Sequence, residues 1–132
     1  MMSGKWLPPN HSLGDANTIG GYARVHARPA AFEGSDGLSY SVSIESAPTG
    51  DPDRPVGAFF LFLRWRRIGA QGVDGHLESD FLAWGVDSAE ARSALGGLPL
   101  HAVRNVLEGL IRTHTRDEGN ARRWWDVMRD ES

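Results

Sequence analysis

Every position from Ala58 to Leu63 is apolar. As a strand, such a run requires cover on both faces and belongs in the middle of a sheet. Beyond it, Arg64 and Arg66 continue the face of Phe60 and Phe62. Glycines at 69, 72 and 75 then predict a reversal into a partner strand, His76–Trp84. That partner places His76, Glu78 and Asp80 on one face, with Leu77, Phe81 and Ala83 packing separately. Upstream, Leu38, Tyr40, Val42 and Ile44 alternate with Ser39, Ser41, Ser43 and Glu45, the period-2 pattern of a half-buried strand. Tyr22–Arg28 also alternates, Ala23, Val25 and Ala27 against Tyr22, Arg24, His26 and Arg28, and predicts a first strand. The turn residues Glu33–Gly37 and the Pro- and Asp-rich stretch 47–56 separate these strands. Four strands with reversing connections predict an antiparallel meander.

After Gly85 the period changes. Asp87 and Glu90 have capping-box spacing, Gly96-Gly97 is a helix stop, and Pro99 suits a first helical turn. Leu100, Val103, Val106, Leu107, Leu110 and Ile111 then form a 3.6-period stripe that must cover a sheet face. The polar residues 113–119 predict a loop. Residues 120–128 predict a short last helix with Ala121, Trp124, Trp125 and Met128 on one side. The expected fold class is α+β: a four-stranded antiparallel meander followed by two to three helices packed on one face. Residues 1–21 read as an irregular N-terminal arm, 22–113 as one α+β domain, and 114–132 as a C-terminal loop and short aromatic helix.

At 132 residues the chain suits one domain, burying roughly two-thirds of its unfolded surface. A net charge of −3 gives no general attraction to nucleic acid or anionic membrane. The absence of cysteine excludes disulfides, thiolate metal sites and thiol catalysis, and the single lysine, Lys5, leaves no lysine nucleophile in the folded region. The start has no apolar signal-peptide core, and the apolar run 56–63 is too short to span a bilayer. The expectation is a soluble cytoplasmic protein without nucleic-acid or membrane partners.

Candidate chemistry gathers on the predicted hairpin. If residues of matching parity pair, Arg64 and Arg66 lie across from His76, Glu78 and Asp80, with His26 and Trp84 adding ligand contacts. Arginine forks hold carboxylates or phosphates, and paired carboxylates serve acid/base chemistry. The same pattern also describes a cross-strand salt-bridge ladder that solvates an open face. Neither a recognised catalytic motif nor an acidic metal cage is present, so neither cofactor nor metal is expected. Trp124, Trp125 and Met128 are candidates for a dimer interface, because tryptophan concentrates at interface hot spots.

Arg28–Gly37 followed by Tyr40, and later Gly75–Ser79, resemble segments of small uncharacterised bacterial proteins, some of which travel on mobile (integron-type) gene cassettes. The resemblance spans residues 22–112, and it implies a bacterial cytosolic origin and no particular activity. The reading that follows from the residues is a homodimeric, non-catalytic binding module. The alternative is a hydrolase or lyase acting on a small anionic substrate through His76, Glu78 and Asp80 with Arg64 and Arg66.

Overall fold

The computed structural model describes residues 9–65 and 73–130, with backbone alone at 73–74 and 118–130. A turn of 3-10 helix at His11–Leu13 leads to helix α1, Ile19–His26. Strands β1 (Ala31–Glu33), β2 (Ser39–Pro48), β3 (Val56–Trp65), β4 (Val73–Glu78) and β5 (Ala83–Gly85) follow, then helices α2 (Ser88–Gly96) and α3 (Leu100–Asp130). All strand pairings are antiparallel in the order β1-β2-β3-β4. β5 pairs with the start of β3, so β4 and β5 share one edge of that strand. The fold is α+β, as expected.

The inner face of the sheet holds the core. Tyr40 and Val42 of β2 and Ala58, Phe60 and Phe62 of β3 are buried against Ala91 and Leu95 of α2 and Val103, Leu107 and Ile111 of α3. Capping begins α2, where the Asp87 carboxylate accepts from the Glu90 amide at 2.8 Å. Tyr40 closes the β1–β2 turn from the inner face. Its hydroxyl donates to Asp36 at 2.6 Å, and the other oxygen of Asp36 accepts from the Leu38 amide at 3.0 Å.

Three expectations are corrected. Residues 22–28 are not a strand; most of them belong to α1. Thr18 caps this helix, accepting from the Gly21 amide at 3.1 Å, and Ile19 and Val25 turn into the core. Gly20 and Gly21 lie inside the helix, where neighbouring backbone crowds both positions. A Cβ on Gly21 would stand 1.9 Å from the Asp15 carbonyl, and one on Gly20 would stand 3.1 Å from the Gly96 Cα. Residues 113–119 are likewise not a loop, since α3 runs through them. There the Thr113 hydroxyl donates back to the Gly109 carbonyl at 3.1 Å, as a polar side chain within a helix commonly does. Finally, among the described residues β3 is fully buried on one face only. Phe59, Leu61 and Leu63 on the other face are half-buried, and Trp65 is 40% exposed.

Candidate functional site: the outer sheet face

Residues paired across a ladder share a face, so register decides what the outer face carries. β2 pairs Ser39 with Trp65, Ser41 with Leu63, Ser43 with Leu61 and Glu45 with Phe59. On the other side of β3, β4 pairs Leu63 with His76 and Leu61 with Glu78. The result is an apolar stripe, Phe59-Leu61-Leu63-Trp65, with serines and Glu45 along one flank and His76 and Glu78 along the other. Trp65 lies down across the stripe's end, its indole Nε1–H donating to Ser41 Oγ at 2.8 Å. Phe81 closes the opposite end. Its ring meets Phe59 edge-on with centroids 6.0 Å apart and fills the space above Gly57, where a Cβ would stand 2.4 Å from it.

The same register separates the expected cross-strand cluster. Arg64 pairs with Gly75 and Tyr40, and so lies on the inner face, opposite to His76 and Glu78. Absence of a side chain at Gly75 accommodates the guanidinium, since a Cβ there would meet Arg64 Nη2 at 2.8 Å. The Arg64 side chain also acts on the Tyr40 hydroxyl that Asp36 holds. Burial chiefly, then the hydrogen bond and charge of Asp36, push that phenol up to about 12, against a smaller opposing pull from Arg64.

His76 and Glu78 meet each other instead, Nε2 to Oε1 at 3.8 Å, with their side chains 60% and 54% exposed. Glu78, Ser79 and Asp80 border a shallow depression of about 220 Å³ with Phe59 and Phe81. Ser79 continues the ladder to β3 just past the end of β4, its hydroxyl accepting from the Phe60 amide at 2.9 Å and donating to the Asp80 carbonyl at 2.8 Å.

Among the other expected residues, Trp84 pairs with Gly57 and carries the Arg54 guanidinium 4.4 Å from its ring centroid. His26 is on α1 rather than in the sheet, stacked against Tyr22 with centroids 4.3 Å apart. Arg66 lies outside the described residues, as do the side chains of Trp124, Trp125 and Met128, whose backbone continues α3. No group of three or more His, Asp or Glu side chains suited to a metal ion occurs among the described residues. No described helix is long and apolar enough to cross a membrane.

The stripe itself was missed in the sequence, although a signal for it exists. Ser39, Ser41, Ser43 and Glu45 mark one sheet face as polar, and every long 3.6-period stripe can cover only the other. The odd-numbered residues of β3 share that polar face. Chemically, the arrangement suits association with another apolar surface inside a polar rim. Comparison with protein-family models, with curated proteins and with solved structures finds no match.

Proposed function

We propose that the protein is a small homodimeric binding module whose protomers pair through the outer sheet face. The observation that carries this reading is the stripe Phe59-Leu61-Leu63-Trp65, apolar, only half-buried and polar on both flanks. A contiguous apolar patch with a polar rim marks an interaction site. Two ten-residue strands beside the β4–β5 edge, at ~3.4 Å per residue and ~4.8 Å between strands, present roughly 500 Å² in projection. Side-chain relief raises this toward the about 800 Å² of accessible surface that each partner gives to a stable interface. A second copy suits the patch because a two-fold axis through it sets stripe on stripe and rim on rim.

The hydrolase or lyase reading has no comparable observation behind it. Its anion-holding Arg64 faces the core side, away from Glu78 and His76.

Sedimentation velocity tests the proposal. Wild type should sediment as two 14.4 kDa chains, and Leu63→Glu as a folded monomer. A monomeric wild type at micromolar concentration, or a Leu63→Glu dimer of unchanged affinity, would overturn it.

A further inference from the structure

β1 covers only the beginning of one edge of β2. Its ladder spans Ser39 to Ser41 and closes with the Val42 amide donating to the Ala30 carbonyl at 3.1 Å. At the other end the Gly34 amide donates to the Leu38 carbonyl, so the even-numbered residues of β2 turn their backbone groups toward β1. Antiparallel pairing alternates, and the N–H and C=O groups of Ile44 and Ser46 therefore point the same way, away from β3. Among the described residues no strand stands opposite them.

Along this edge, on its inner side, runs a groove of about 450 Å³ between β2 and α1. Ile19, Ala23 and Ala27 form its helical wall, and Val42 and Ile44 its strand wall. The alanines sit one helical turn apart and leave room for side chains from an added strand. Arg28 stands at the end where the chain leaves the line of β1. Its guanidinium lies 5.9 Å from the Tyr22 ring, and it forms no ion pair with a carboxylate among the described residues. It is the one charged residue among the described residues that line the groove.

A strand lying antiparallel to β2 runs in the direction of β1, so its last residue stops against Ala30 and Arg28. We propose that this groove takes the C-terminal segment of a partner polypeptide as an added strand on β2, with Arg28 holding its terminal carboxylate. The Ile44 and Ser46 backbone groups supply the ladder. The side chain opposite Ile44, at the last peptide position, enters the groove, and the one opposite Ser46, two positions earlier, lies on the same sheet face beyond the groove's lining, near Arg92. In such strand addition the main chain gives affinity and the alternate side chains give selectivity. The groove and the outer face are separate surfaces, so either proposal can fail without the other.

The test uses the full chain and a displayed library of random heptapeptides with free C-termini. Expected are enriched sequences with an aliphatic last residue. In synthetic form these should bind with slowed exchange of the Ile44 and Ser46 amides. Amidating the peptide terminus, or Arg28→Glu, should weaken binding by at least about tenfold, the scale of a lost charge-assisted contact. Ala23→Leu, at an exposed α1 position that faces the groove, should abolish it, and monomeric Leu63→Glu should bind unchanged. No enrichment above the Ala23→Leu chain, or hits indifferent to amidation, would overturn the proposal. So would enrichment seen only after residues 1–8 are removed, which assigns the groove to the chain's own N-terminus. Concentration-dependent protection of the two amides without peptide would assign it to a second copy instead.

Discussion

Leu63 of β3 stands directly opposite His76 of β4. This pairing sets His76 and Glu78 beside the apolar stripe and turns Arg64 inward. A slip of β4 by one residue would place Arg64 across from His76, turning Leu77 outward and His76 inward, so the packing of Leu77 against the core opposes it. Among the described residues, the carboxylate of Glu78 consequently has the exposed imidazole of His76 as its ion-pair partner. An exposed pair of this kind contributes little. Glu78→Gln should therefore change the free energy of unfolding of the monomeric Leu63→Glu background by no more than about 0.5 kcal/mol, measured by urea titration. A loss of several kcal/mol would mean that Glu78 balances a buried cation.

The two faces of β3 should respond differently to truncation. Phe62→Ala empties a fully buried site and should cost about 3–5 kcal/mol. Leu63→Ala should cost less than half as much in dilute solution, with a loss that grows with protein concentration as dimerisation is weakened. Equal, concentration-independent losses would show that Leu63 is covered within the protomer.

Alkaline stability should depend on Tyr40. Its phenol is pushed up to about 12 in the fold from an ordinary 10. A raised pKa contributes stability that is fully present below the unfolded value and is lost as pH rises through the folded one. Stability should thus fall between about pH 10 and 12, by on the order of 2 kcal/mol. Tyr40→Phe should lower stability at neutral pH by about 1 kcal/mol through the lost hydrogen bond to Asp36. Thermal melts should then show a flatter alkaline limb, and an unchanged limb would contradict the assignment.

Gly21→Ala sets two effects against each other. Alanine is the better helix former by about 1 kcal/mol. Against that, its Cβ would fall 1.9 Å from the Asp15 carbonyl and 2.7 Å from the capping hydroxyl of Thr18. Because the first obstacle is backbone, the clash should win, with a net loss of at least about 2 kcal/mol in chemical denaturation. A stabilised variant would show that the 14–18 segment is not seated on α1.

The parts of the fold legible in the sequence are those where one period dominates. Leu38–Ile44 alternate and become β2, and Leu100–Ile111 repeat at helical spacing and become the packed part of α3. Tyr22–Arg28 misled because alternation over so few residues also fits a helix that buries Ile19 and Val25, and because close backbone approach places glycine inside α1. The polar character of 113–119 hid a helix that needs no apolar stripe where it extends past the core. Least legible was the hairpin register. It depends on the irregularity between Arg64 and Trp65 and on the bare Cα of Gly75 beneath a guanidinium, and neither leaves a periodic trace. His76, Glu78 and Arg64 were each visible as ionisable residues, but which of them share a face was not.

The proposed pairing of protomers on the stripe Phe59-Leu61-Leu63-Trp65 has a direct structural test. Isotope-filtered nuclear Overhauser spectroscopy on a mixture of labelled and unlabelled chains tests it most directly. Expected are contacts between protomers from the methyl groups of Leu61 and Leu63 to the rings of Phe59 and Trp65. A dimer whose contacts between protomers arise only from Trp124, Trp125 and Met128 would contradict it, as would a sample with no such contacts and a monomeric mass.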